Sequence, residues 1–236
     1  MRALIPTLCV TLLIGAVGAS PVQAANLLVN GSFETWSGGD TSSSSQPDRI
    51  FNDGSLSVPG WNFAIGLSSD LYRDLAASGA QSAYYDAADG DYLAAAGSFD
   101  PLHEGISQTF AVTPSTGYVV TFQMAPGGLN YNGSWIEHAL VGSSWRVQVT
   151  GAVTVAVDQS FNTNLGDFNA SGTTNPLNWS PKLLTFTSDS VGGSVTLLFT
   201  AYGDMTHVFL DNVVVMAEEP TSGRTESWGR MKSLYR

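Results

Sequence analysis

The sequence predicts an all-β fold, a single β-sandwich of jelly-roll type built from two packed antiparallel sheets. Three observations carry that expectation: apolar and polar residues alternate with a period of two along much of the chain, turn dipeptides separate the alternating runs, and helical periodicity is nearly absent.

The first 24 residues read as an export signal. Arg2 gives a positive start, residues 4–17 form a short apolar run, and Val22-Gln23-Ala24 offers small residues for cleavage. Residues 25–218 are then one sandwich domain, because all-β sandwiches commonly reach that length as one unit. The firmest strands lie at 118–124, where Tyr118, Val120, Phe122 and Met124 alternate with Val119, Thr121 and Gln123, at 145–149 and at 195–200. Weaker alternation marks strands at 27–30, 61–65, 92–96, 106–112, 154–157, 183–187 and 208–216. Asn30-Gly31, Asp53-Gly54, Pro59-Gly60, Asp89-Gly90, Pro114 to Gly117, Asn132-Gly133 and Gly192-Gly193 supply the reversals between them. One short helix is expected at 69–78, with Leu71, Tyr72 and Leu75 on one side. Residues 37–47 and 162–178 read as loops, and residues 219–236 as a disordered polar and basic tail.

Composition narrows the function. The chain has 20 Asp and Glu against 9 Lys and Arg, a net charge of −11. Four of those nine cations, Arg224, Arg230, Lys232 and Arg236, fall in the tail, so the body is more acidic still. Such a surface repels phosphate backbones, and a nucleic-acid partner is not expected. The only cysteine, Cys9, lies in the signal, so the mature chain forms no disulfide although export would bring it to an oxidising compartment. No stretch of the mature chain approaches the roughly 20 apolar residues of a membrane-spanning helix. The expected location is outside the cytoplasm: extracellular, periplasmic or at the cell surface.

Five ordered segments resemble the choice-of-anchor C family, bacterial relatives of plant cell-wall proteins of unknown function. They are residues 26–34 (NLLVNGSFE), 54–61 (GSLSVPGW), 105–110 (GISQTF) with the run to Phe122, Asn178-Trp179 leading into 184–187 (LTFT), and 210–213 (LDNV). The resemblance implies a galactose-binding-like jelly roll and carbohydrate or cell-wall association. Bacterial members often end in a Pro-Glu-Pro sorting signal with an apolar helix, whereas no apolar helix follows Glu219-Pro220 here.

Two sets of candidate site residues follow. Glu34, after the first expected strand, and Asp211, within the last, are separated by most of the chain, yet the terminal strands of such sandwiches lie together. The pair is the candidate ligand set for a structural calcium ion, which takes six to eight hard oxygens. The alternative is that both carboxylates accept backbone hydrogen bonds without a metal. The second set is Asn130, Tyr131, Asn132 and Trp135, one short stretch dense in aromatics and amides. Such residues suit a polysaccharide partner, because a sugar's C–H face stacks on aromatic rings while amides bond its hydroxyls; the alternative for Trp135 is the first core residue of the next strand. Trp61, Trp145 and Trp179 are assigned to packing, Trp36 is left open between an ion and a ligand, and Asp86, Asp89 and Asp91 read as a plain turn. No Walker loop, His-Glu-x-x-His pair or Gly-x-Ser-x-Gly elbow is present. The expected function is therefore a secreted, non-catalytic carbohydrate-binding or cell-envelope module. A structural surface protein acting through protein contacts or self-association is the alternative, and a glycan or ester hydrolase comes behind both.

Overall fold

A computed structural model describes residues 25–41, 49–50, 52–65, 69–73, 87–99, 102–127, 129–131, 134–136, 143–163, 179–202 and 206–218. Among these the structure is all-β. The strands are β1 (Arg49–Ile50), β2 (Asn62–Ile65), β3 (Asp70–Arg73), β4 (Tyr92–Phe99), β5 (Leu102–His103), β6 (Gly105–Val112), β7 (Gly117–Gly127), β8 (Leu129–Tyr131), β9 (Ser134–Ile136), β10 (Ser144–Gly151), β11 (Val157–Asn162), β12 (Ser180–Thr187), β13 (Gly193–Tyr202) and β14 (Thr206–Ala217). They form a seven-stranded sheet in the order β1-β3-β4-β14-β7-β12 with β5 attached to β4, a five-stranded sheet in the order β11-β10-β13-β6-β2, and a separate hairpin of β8 and β9. Every pairing is antiparallel. The chain passes repeatedly from one sheet to the other, which makes this a jelly-roll sandwich.

The alternation seen in the sequence maps directly onto the layers. Tyr118, Val120, Phe122 and Met124 of β7, Trp145, Val147 and Val149 of β10, and Val195, Leu197 and Phe199 of β13 are all buried in one core between the sheets. Trp145 is fully enclosed there, and its indole N–H donates to the Phe209 carbonyl of the facing sheet at 3.1 Å. That bond removes the penalty of burying the only polar atom of the ring. The packing assignments of Trp61 and Trp145 hold, since Trp61 lies between Phe33 and Phe199 and donates to the Asn30 carbonyl.

Three expectations are corrected. Residues 69–78 do not open as a helix: residues 70–73 are strand β3, paired with both β1 and β4, and residues 74–78 lie outside the described residues. Leu71 packs into the main core and Tyr72 into a second cluster with Leu93, Ala95, Ala125 and Phe209. Consecutive side chains of a strand point to opposite faces, and here both faces are covered, so the alternation that marks a strand is lost. Residues 154–156 are loop, with the strand starting only at Val157. Residues 27–30 form no regular strand.

The 27–30 segment nevertheless does a strand's job. Leu27 N–H donates to the Val215 carbonyl, and Val213 N–H donates to the Gly31 carbonyl. Asn26 replaces the intervening backbone with its side chain, donating to the Val213 carbonyl and accepting from Val215 N–H. β14 needs this partner because its pairing with β4 ends at Leu210, and its register with β7 shifts between Asp211 and Val214. Gly31 approaches so closely that a Cβ would sit 2.1 Å from the Val213 carbonyl oxygen. The two ends of the domain therefore meet, as expected for its terminal strands. Residues 1–24, expected as an export signal, residues 219–236, expected as a tail, and most of both expected loops lie outside the described residues.

Candidate functional site

Glu34 and Asp211 converge on one feature, the turn at 88–92 that leads into β4. Asp211 Oδ2 accepts from Ala88 N–H at 2.7 Å and from Asp89 N–H at 2.9 Å, while Oδ1 accepts from Asn212 N–H. Glu34 accepts from Asp91 N–H on both oxygens and from Tyr92 N–H on Oε1. Gly90 lies between, at a φ of 77° and so near the Glu34 carboxyl that a Cβ would fall 2.3 Å from its carbon. The positive φ favours glycine there, and a side chain would displace the Glu34 carboxyl from its amides. Trp36 stacks edge-on against Tyr92, at 5.6 Å between centroids. Asp211 is fully enclosed, and its burial pushes its carboxyl up to about 7 against the opposing pull of three backbone amides.

The carboxylate geometry can be tested against an ion. Each carboxylate has about four lone-pair directions; Asp211 accepts from three amides, and Glu34 from two, with Asp91 N–H shared between its oxygens, so three directions are engaged on each. An ion held here would use the remaining one on each side together with backbone carbonyls and water. Among the described residues no three His, Cys, Asp or Glu side chains are grouped to share a metal. Asp89 and Asp91 lie on the turn itself, and Asp86 lies outside the described residues.

The predicted ligand-binding residues sit just beyond the end of β7. Asn130, Tyr131 and Trp135 belong to the β8–β9 hairpin, where Asn130 is the register partner of Trp135 and Tyr131 that of Ser134. Asn132 lies outside the described residues. The structure thus brings three of the four onto one short hairpin.

A second feature was not predicted from the sequence. On the outer face of the seven-stranded sheet, a cavity of about 250 Å³ is lined by Thr121, Gln123, Pro181, Leu183, Asn212 and Val214, with Phe122 and Lys182. Strand parity separates the contributions. Phe122 is a core residue and Lys182 is its register partner, so these two turn toward the sandwich interior, while Thr121, Gln123, Pro181 and Leu183 alternate outward. Asn212 reaches the same face through the register shift in β14, where it holds a φ of 47°. That left-handed conformation is one asparagine tolerates better than most residues. The side chains of Thr121, Gln123 and Asn212 are half-buried and make no hydrogen bond among the described residues. Trp179, next along the face, packs against the cluster of Tyr72, Leu93, Ala95, Ala125 and Phe209. Along β7 the order is therefore cavity at 121–123, Trp179 opposite the strand's last third, and then the turn into the hairpin.

No family model matches the chain, and neither does any curated protein. Among solved structures the chain is similar to the carbohydrate-binding module TmCBM61 in complex with β-1,4-galactotriose, with 13% identity over 83% of this chain and 100% of that one and a TM-score of 0.46. It is also similar to a family 16 carbohydrate-binding module, with 14% identity over 81% and 99% and a TM-score of 0.42. A third likeness is to the CBM22-1 xylan-binding domain of Paenibacillus barcinonensis Xyn10C, with 11% identity over 67% and 85% and a TM-score of 0.37.

Proposed function

We propose that this protein is an exported, non-catalytic carbohydrate-binding module that holds a polysaccharide on the outer face of its seven-stranded sheet. The observation that carries this reading is the cavity beside Trp179, where two amides and a hydroxyl make no hydrogen bond among the described residues and stand between the apolar walls of Pro181, Leu183 and Val214. A sugar offers that combination in reverse: hydroxyls for the amides and a C–H face for the apolar walls. To the β8–β9 hairpin, which follows β7 in the chain, this reading assigns Tyr131 and Trp135 as aromatic anchors of the same ligand, with Asn130 beside them. Asn132, outside the described residues, belongs to the same set by sequence.

Affinity electrophoresis in gels containing soluble polysaccharides tests the assignment. Tyr131→Ala and Trp135→Ala are expected to lower affinity by about 2 kcal/mol each, the scale of an aromatic anchor, or roughly thirtyfold. Trp61→Phe should leave migration unchanged, because Trp61 is enclosed in the core. Equal retardation of all three variants would overturn the hairpin's role. If no polysaccharide retards the wild type while light scattering shows concentration-dependent oligomers, the protein acts through self-association instead.

Calcium belongs to the same proposal as a structural ion. What supports it is the meeting of Glu34 and Asp211 at a turn that also carries Asp89 and Asp91. In a mature chain without cysteine, an ion bound only by the folded state would stabilise it by about 2.7 kcal/mol at a hundredfold excess over its Kd. For a domain of this size that is roughly 5 to 10 °C. Thermal melts in excess calcium and in chelator should differ by that amount, and coincident midpoints would remove the metal.

A further inference from the structure

The cavity's chemistry also selects among glycans, an inference that rests on the carbohydrate-binding reading and deepens it. Apart from Lys182, which stands on the inward-facing side of β12, its polar groups are neutral: the Gln123 and Asn212 amides and the Thr121 hydroxyl. Among the described side chains, Lys182 is the one cation at its lining. Lys182 lines the cavity only from the inward-facing side of β12, as the register partner of the core ring Phe122. Arg146 lies on the other sheet, where both guanidinium ends are committed to Asp158 and Tyr202. The Asp211 carboxylate is the register neighbour of Gln123, within a chain of net charge −11. A uronate or sulfate entering here would surrender hydration without gaining a counter-charge, which is costly for any anion, and would approach against the field of the whole protein.

Size narrows the ligand further. At about 250 Å³ the cavity falls below the roughly 300–1,000 Å³ of sites that engulf a whole small molecule. It fits one ring, with the rest of a chain running over the open sheet face. Asn212 is fixed for this task from behind. Its backbone N–H is bonded to Asp211, and the following Val213 is clamped through both its N–H and its carbonyl by Gly31 and Asn26.

From these observations we infer that the outer-face cavity binds a single ring of an uncharged polysaccharide, with Gln123 and Asn212 as the residues that set its specificity against acidic glycans.

The mature protein would be run in affinity gels containing β-1,4-galactan, xylan, mixed-linkage β-glucan, polygalacturonate or alginate, beside Gln123→Ala and Asn212→Gly. Glycine accepts the positive φ at 212, so this change removes the amide without straining the bulge, and melting midpoints verify that both variants fold. The expected result is retardation of the wild type by at least one neutral polysaccharide, weakened about three- to tenfold by each substitution, and none by the two polyuronates. Retardation by a polyuronate equal to or stronger than by every neutral chain overturns this inference and leaves the carbohydrate-binding reading in place. So does neutral-glycan binding that both variants retain in full. Absence of retardation in every gel overturns the carbohydrate-binding reading, and this inference falls with it.

Discussion

Asp211→Ala is expected to be among the most damaging single substitutions in the domain. It removes a fully enclosed carboxyl and leaves the part-buried N–H groups of Ala88, Asp89 and Asn212 without their acceptor. Each such loss costs about 1–3 kcal/mol, so a total of about 3–5 kcal/mol is expected, and at about 2–4 °C per kcal/mol the melting midpoint should fall by roughly 10 °C. Asp211→Asn keeps one acceptor oxygen and should lose less. The pair of variants also reveals the ionisation. Because burial raises the Asp211 carboxyl to about 7, above its ordinary value of 3.8, the folded state holds this proton more tightly than the unfolded chain. The associated stability is complete below about pH 4 and is lost as pH rises through about 7. In chelator, the wild-type midpoint should therefore decline relative to Asp211→Asn between pH 4 and 8. Parallel curves would show that the carboxyl titrates elsewhere.

Gly31→Ala is expected to have an effect of similar size by a different route. The added Cβ would lie 2.1 Å from the Val213 carbonyl oxygen, with backbone on both sides of the clash, so no side chain can swing away to relieve it. The 26–31 segment would have to lift off β14 and surrender the bonds at Leu27, Val213 and Val215. A loss of about 3 kcal/mol or more follows from overpacking combined with those bonds. Hydrogen exchange should show the amides of Val213 and Val215 losing protection while those of β10 and β13 keep theirs. An unchanged midpoint would mean that the segment and β14 are not in register as described.

How much of this was legible in the sequence depended on which face each residue served. Where one side of a strand meets the core and the other meets water, as at Tyr118 to Met124, alternation named the strand and its buried side. It failed at Leu71 and Tyr72, because a strand covered on both faces shows no polar half. It failed differently at residues 27–30, where a side chain from Asn26 stands in for ladder bonds and Asn30 turns through a φ of 54°. The meeting of Glu34 and Asp211 at one place was readable from their positions near the two ends. Their shared attachment to the 88–92 turn was not, since neither residue carries any local signal for a partner 57 or 122 positions away. The outer-face cavity escaped notice because Thr121 and Gln123 look like the ordinary wet half of an amphipathic strand. One hint was available: Asp211-Asn212 interrupts an apolar run from Val208 to Val215, the pattern a bulge leaves in a buried strand.

The clasp between the start and end of the domain also bears on when it can fold. Asn26 and Val213 are 187 residues apart, and closing a loop of that length costs roughly 5 kcal/mol of chain entropy beyond a constant. Sandwiches dominated by such distant pairings assemble in milliseconds to seconds rather than microseconds. The clasp, and with it the pairing along the bulged half of β14, therefore cannot close until the last strand has been made.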